Sequence, residues 1–483
     1  MATIRNELPA YVRNAVPVPL DKRAPWYVNT APTYAGIFLW IAFYDQLAKG
    51  LTLGTLWAVL LGVVIAGAVC HYFFYYVPGL LGMKTGQPLY IVGTSTFGIK
   101  GGYFIPGIFM GLLQIGWYSV ATYYATKLIL NGLGYPAITP YGLEEEGYAR
   151  AWDATFIVLA FVWGYLFALV GGLGIEYVAR VAQIFPVVPI VMLLLGGVLA
   201  LPHLKAYIET PVPSDFDTTY VSAGTLLMIQ LIVGFFGTAG AVGADFCANN
   251  RTRQDVSLGG LVGIWAAIVF TAGLAIVTVA GAHGADPTKI ASLPADERYR
   301  YGQALQILGP AWLSRSMLIL FAIGSMAPAC FCSFIIGNSL STMLGKPQAR
   351  IPITLAGTTV GISIAVTGAS ANLAPYFGLI GASFGPVIGA MAADYFLSGG
   401  EWSGPREGVN WAGYLAWIVG FLVGISNNDV VAGVLGFKPL ADWHPTGVYS
   451  LLIGAVVYVV AARTIGLPAR IPGAVPVVRP ADE

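Results

Sequence analysis

Runs of about twenty mostly apolar residues recur along this sequence from residue 29 to residue 463, each long enough to cross the hydrocarbon core of a bilayer as a helix. A backbone inside hydrocarbon has no water to bond, so helices and closed barrels are the only folds that can span. Aliphatic and small residues fill these runs without the strict alternation of barrel strands, so the expected fold is an all-α polytopic membrane protein. Composition excludes the main alternative: 57% of residues are hydrophobic and 10% charged, where a soluble domain would carry about a quarter charged. The 61 glycines and 30 prolines then signal close helix packing and interrupted helices rather than disorder.

Twelve spans are read at about 29–48, 53–77, 101–130, 153–173, 177–201, 221–246, 256–281, 312–343, 351–372, 375–397, 409–427 and 445–463. Residues 1–28 form a cytoplasmic N-terminal segment and 464–483 a cytoplasmic tail, because that orientation puts fifteen of the 24 basic residues inside. The expected location is the plasma (inner) membrane. The loops left outside, "YGLEEEGYAR" at 141–150 and the stretch from His203 to Tyr220, are acidic or mixed. The N-terminal segment is polar and Pro-rich, without the short apolar core and small-residue site of a removable signal peptide. A net charge of +1 gives no sign of a nucleic-acid partner, and no protein partner is indicated beyond the lipid bilayer itself. Cys70, Cys247, Cys330 and Cys332 all fall in apolar segments, which fits neither a disulfide framework nor a metal pair.

Polar residues inside the spans carry the functional information. In "GLLQIGWYSVA" (111–121), Gln114 and Trp117 stand at i and i+3 and share a helix face. A buried amide without partners costs about 2–7 kcal/mol, so either a neighbouring helix or a ligand must satisfy Gln114. A planar heterocycle with an N–H beside a C=O would stack on the indole and pair with the amide. In "VGFFGTAGAVGADF" (233–246) a glycine recurs every third residue, marking either a close-packed face or a broken helix with Phe236 as a second stacking surface. Asp45 on the first span is either functional or paired with Lys49 at i+4. Asp245 and Asp394 lie at cytoplasmic helix ends, where contacts with Arg251 or Arg253 compete with chemistry. "GASFG" (381–385) fits Gly-x-Ser-x-Gly, and His71 lies in the second span. That motif signifies a hydrolase only at a strand-to-helix elbow with a partnered His, so no enzyme is expected. A channel or sensor would need a filter ring or signalling domain, neither of which the sequence displays.

Taken in order, "PVPLDKR" before the first span, "GMKTGQPLYIVGTSTFGIKG" (82–101), "QIGWY", "GFFGTAGAVGADF" and "FGLIGASFGPVIGAMAADYF" (377–396) resemble the nucleobase:cation symporter-1 family of cytosine, purine, uracil, thiamine, allantoin and hydantoin permeases, over about residues 17–400. The resemblance implies a five-plus-five inverted repeat, 29–201 superposing on 221–397, with helices one and six broken at the substrate site and two further helices over 409–463. It implies that Trp117 and Phe236 sandwich the heterocycle, that Gln114 bonds its edge, and that Thr238 with the backbone around Gly237 lines the helix-six side. Cys330 falls near the place of the family's substrate-binding Asn, and Asn338 lies two turns beyond. It also implies secondary transport by alternating access, with no bound cofactor and Na+ or H+ as co-transported cation. In sodium-dependent members the ion lies between helix-one carbonyls and, commonly, two adjacent hydroxyl residues on helix eight. "IGSMAPACFCSF" (323–334) offers Ser325 as one ligand but then Met326, whose thioether suits sodium poorly; a proton carried by Asp45 is the alternative. The departure on helix eight also admits a solute outside the nucleobases, such as an amino acid or a vitamin.

Overall fold

The computed structural model describes residues 8–135, 138–139, 149–150, 153–173, 177, 187–210, 218–371, 373–436 and 439–479. Most of the acidic 141–150 loop and of the first turns expected for the fifth span therefore lies outside the described residues. Ten helices among those described are long and apolar enough to cross a membrane: Leu56–Thr85, Tyr103–Leu133, Ala154–Leu173, Val187–Glu209, Ala223–Ala241, Arg253–Ala285, Ala311–Met343, Pro347–Val366, Leu373–Leu397 and Thr446–Thr464. They fall on the expected spans two to ten and twelve and are numbered so below. Span one is a pair of shorter helices, Thr30–Phe38 and Ile41–Tyr44, and span eleven is the 14-residue helix Trp411–Gly424. Two-residue strands at Ile138–Thr139 and Ala149–Arg150 pair in parallel and interrupt the otherwise helical architecture.

Burial sorts the spans into centre and rim. The most apolar stretch of span six is 89% buried and that of span ten 83%, whereas span five reaches only 28%. On span five Val187, Val191, Leu194, Val198 and Leu201 are exposed at alternating spacings of four and three, an apolar stripe that suits lipid contact. The glycine row of span six explains how its neighbours approach. A Cβ at Gly234 would stand 2.6 Å from the Phe377 carbonyl oxygen, one at Gly237 3.0 Å from that of Ile380, and one at Gly240 2.9 Å from that of Phe74. The first two positions seat span ten and the third seats span two, the packing that small residues permit between membrane helices.

Span three is kinked near its start at Ile105 (φ −118°, ψ 117°), and spans one and six are interrupted. Between the halves of span one, Trp40 is extended (φ −76°, ψ 126°), and span six stops at Val242 (φ −69°, ψ 1°) before a last turn, Gly243–Cys247. The glycine segment thus does both things its sequence suggested, packing along most of its length and breaking at its end. At the second break Tyr34 Oη donates to the Ala239 carbonyl at 2.8 Å, so a side chain of span one covers a polar group released by span six.

Asp394 at the end of span ten does not reach Arg251 or Arg253. It accepts Arg406 Nη2 at 3.1 Å and Tyr458 Oη at 2.8 Å, while Asn410 Nδ2 donates to that same phenol at 3.3 Å. Arg251 instead pairs with Asp255, four residues along its own segment. The buried Asp394–Arg406 pair therefore ties span ten to spans eleven and twelve, with both side chains under 5% exposed. Removing one partner of such a pair strands the other charge, at a cost of about 3–5 kcal/mol. Asp394→Ala and Arg406→Ala are each expected to lower the melting temperature in detergent, and the double variant to lose clearly less than the two losses added; strict additivity would show the pair is uncoupled.

Candidate solute site and the cavity below it

Where the broken first span meets spans three, six and ten, aromatic rings fill the interior. Trp117 is 5% exposed, and its indole N–H donates to Thr238 Oγ1 at 3.0 Å, joining spans three and six. Around it stand Phe235 at 5.0 Å (72°), Tyr376 at 5.1 Å (82°), Phe377 at 5.7 Å (37°) and Trp40 at 5.9 Å (64°), mostly edge to face. Among the described residues Phe236 makes no direct ring contact with Trp117, its expected partner across the solute. Adjacent residues on a helix are about 100° apart, so only one of the pair 235–236 can face span three. Phe235 does; Phe236 lies stacked on Phe38 at 5.6 Å (21°) and tilted against Tyr34 at 5.8 Å.

The remaining expected site residues divide. Gln114 is buried one turn from Trp117, and its Nε2 reaches Met110 Sδ at 3.6 Å, a weak acceptor on its own helix. Gly237 packs on span ten and does not line an opening. At Cys330 the backbone carbonyl would stand 2.5 Å from a Cβ at Gly171, so this part of span eight is pressed against span four. The cavity-lining residues of span eight include Ala327, Phe331, Phe334 and Asn338, at helical spacings of four, three and four, with Pro328, Ile335 and Ser339 beside them. Ser325 Oγ donates to the Phe321 carbonyl of its own helix at 3.1 Å. Ser383 does the same with Leu379 inside the unbroken span ten, so "GASFG" forms no nucleophile elbow, and His71 is stacked on Tyr75.

Asp45 does not pair with Lys49. Its Oδ2 lies 3.3 Å from Arg300 Nη1, its Oδ1 accepts the Gly302 N–H at 3.1 Å, and its carbonyl accepts that of Tyr301 at 3.0 Å. Arg300 also meets Glu297 at 2.8 Å, and Glu297 meets Lys127 of span three at 3.1 Å. Tyr124 accepts from both Arg300 (3.2 Å) and Gln46 (2.9 Å). The four charged side chains are each under 10% exposed and form a clasp of the segment before span eight across spans one and three. Burial disfavours charge on Glu297, yet Lys127 and Arg300 together hold its carboxyl down at about 2.

Two hollows flank the aromatic cluster. Along span six the order is Gln230 in one hollow, Phe235 and Thr238 in the cluster, then Val242 and Asp245 in the other. The first, about 700 Å³, is lined by Lys49, Asp296, Arg298, Asn428, Asp429 and Asp442 beside the clasp. The second, about 360 Å³, lies among Thr33, Tyr90, Met110, Asp245, Phe331 and Asn338. Asp245, Phe235 and Tyr376 gave no distinct sequence signal as cavity or cluster residues, beyond Asp245 being an acid at a helix end.

The sequence matches the model of a protein family described as permeases for cytosine/purines, uracil, thiamine and allantoin, over residues 17–454. The chain belongs to that family. Its fold is similar to that of Mhp1, a nucleobase-cation-symport-1 family transporter, in a closed conformation with bromovinylhydantoin bound: TM-score 0.64 and 15% identity over 95% of this chain and 97% of that one. The inward-facing conformation of Mhp1 gives a TM-score of 0.61 at 15% identity, over 95% of each chain. A substrate-bound, outward-open Na+-coupled sialic acid symporter gives 0.57 at 15% identity, over 93% of this chain and 92% of that one. No curated protein sequence matches the chain. This permease is thus a helical multi-pass membrane protein of the transporter fold these structures share.

Because the lowered Glu297 carboxyl contributes stability that is present above about pH 4.5 and lost as pH falls towards 2, Glu297 carries its charge at neutral pH. Glu297→Gln is therefore expected to cost about 3–5 kcal/mol at pH 7, read as a fall in melting temperature, and Glu297→Gln with Lys127→Met to recover part of it by restoring charge balance. A Glu297→Gln protein as stable as wild type would show that the buried pair contributes nothing.

Proposed function

We propose that this permease is a secondary active transporter importing a planar, nucleobase-like N-heterocycle (cytosine, a purine, uracil, a hydantoin or allantoin) by cation symport and alternating access. The observation that carries the reading is the family match over residues 17–454, which includes every residue of the aromatic cluster. The geometry supports it: a cluster of flat rings with a poorly satisfied amide, Gln114, stands between two hollows on opposite sides of the molecule. Mhp1, whose fold this chain resembles, has a hydantoin bound. The repeats proposed are 29–201 and 221–397, and the breaks at Trp40 and Val242 fall in the first helix of each, as discontinuous transporter helices would.

The end bearing Arg23, Lys84, Arg251 and Arg253 is the cytoplasmic one under the positive-inside rule, with both termini there and the plasma (inner) membrane as location. The 360 Å³ cavity then opens inward and the clasp closes the outer route. The solute is proposed to contact Trp117, Gln114, Thr238 and Phe235, with Phe236 and Gly237 supporting the wall behind. For the coupling ion, Ser325 is bonded within its own helix and followed by Met326, a donor set that fits sodium poorly and favours a proton. Asp45, held by Arg300, is not free to carry it.

A second reading, the same fold moving an amino acid or a vitamin, is favoured by the absence of an Asn at the Cys330 position. Uptake into proteoliposomes, competed by cytosine, uracil, adenine, hydantoin, allantoin and a set of amino acids, separates the two. Gln114→Ala is expected to raise KM for the best heterocycle about 5- to 150-fold, the worth of about 1–3 kcal/mol of hydrogen bonding. Uptake competed by none of the heterocycles, or an unaltered KM in that variant, would defeat the proposal.

A further inference from the structure

The turn after the break in span six, Gly243–Cys247, packs so tightly on span two that Gly82 leaves no room for a side chain against Ala244. That packing sets Asp245 in the wall of the 360 Å³ cavity, where one carboxylate oxygen accepts the Leu89 N–H at 3.2 Å. Other buried acids are matched with cations: Asp45 and Glu297 with Arg300, Asp255 with Arg251, and Asp394 with Arg406. Among the described residues no cation lies within ion-pair distance of Asp245. Lys84, on the adjoining helix, reaches Glu401 at 2.8 Å, and Arg23 donates to the carbonyls of Met83 and Val478.

Span eight completes the wall. Phe331 meets Phe246 at 5.2 Å (47°), and Asn338 stands two turns further along the same face. Among the described residues neither the Asn338 amide nor the Tyr90 hydroxyl has a hydrogen-bond partner, although both line the cavity. A hollow of this size with aromatic walls and a few convergent polar groups has the character of a small-molecule site. In the cluster above, Phe235 meets Trp117 and Phe377 edge to face, and Phe377 is tilted against Trp117 at 5.7 Å (37°), so these three rings are in contact with one another.

We infer that this cavity is a second solute site, on the release side of the aromatic cluster, which holds a flat N–H-bearing heterocycle by its edge through Asp245, Asn338 and Tyr90. The inference rests on the transport reading above and adds a second binding position to it. A carboxyl, an amide and a phenol can each donate or accept a hydrogen bond, the carboxyl according to its protonation, so the three together match a ring edge on which N–H and C=O groups alternate.

Equilibrium binding to the purified full chain tests this, with radiolabelled cytosine, allantoin and hydantoin in turn and unlabelled uracil as competitor. Asn338→Ala should weaken binding about 5- to 150-fold. Asp245→Asn, which keeps the shape and a hydrogen-bonding edge, should weaken it less than Asp245→Ala, a graded loss that a merely misfolded variant does not produce. Variants that melt like wild type and bind the rings unchanged would overturn the site while leaving the transport reading intact. A folded wild type that binds none of the panel would overturn both.

Discussion

A helix interrupted inside hydrocarbon exposes backbone groups that nothing in the lipid can bond, and spans one and six of this chain are both interrupted. The arrangement survives because each break lies where protein covers it. Tyr34 of span one supplies a hydroxyl to Ala239 just before the break in span six, and the rings of Phe38, Trp40 and Phe43 pack the break in span one against Phe235 and Phe236. Neither break could exist without the other helix beside it. The pairing places the two irregular segments together at the centre, with the aromatic cluster on one side and a polar-lined cavity at their foot.

The central packing follows the same logic. Glycines on span six bring span ten close enough that Phe377 and Tyr376 reach Trp117, so a row of absent side chains is what assembles the cluster. Trp117 donates its N–H to Thr238 and thereby fastens the scaffold helix to the interrupted one within a turn of its break.

The sequence makes the spans legible because hydrocarbon imposes length and apolarity on each. It also marks the first break indirectly and the second through its glycines, and it brings out Gln114, Trp117 and Thr238 as residues that share one neighbourhood. It does not reveal helix rotation: in an almost wholly apolar span such as six, no polar face indicates whether Phe235 or Phe236 turns inward. Nor does it disclose partners far away in the chain. Lys49 is the local match for Asp45, while the actual partner, Arg300, lies 255 residues away on a loop whose docking is decided by tertiary packing. On span eight the cavity face runs through Phe331 and Asn338, and Cys330 falls a residue off that line.

The clasp beside the 700 Å³ hollow contains two buried acids, Asp45 and Glu297, and two buried bases, Lys127 and Arg300, with the exposed Asp296 3.6 Å from Arg300. One elementary charge crossing the whole of a 100 mV membrane potential involves about 2.3 kcal/mol, but the four buried charges cancel, so the membrane field exerts little net pull on the buried part of the clasp.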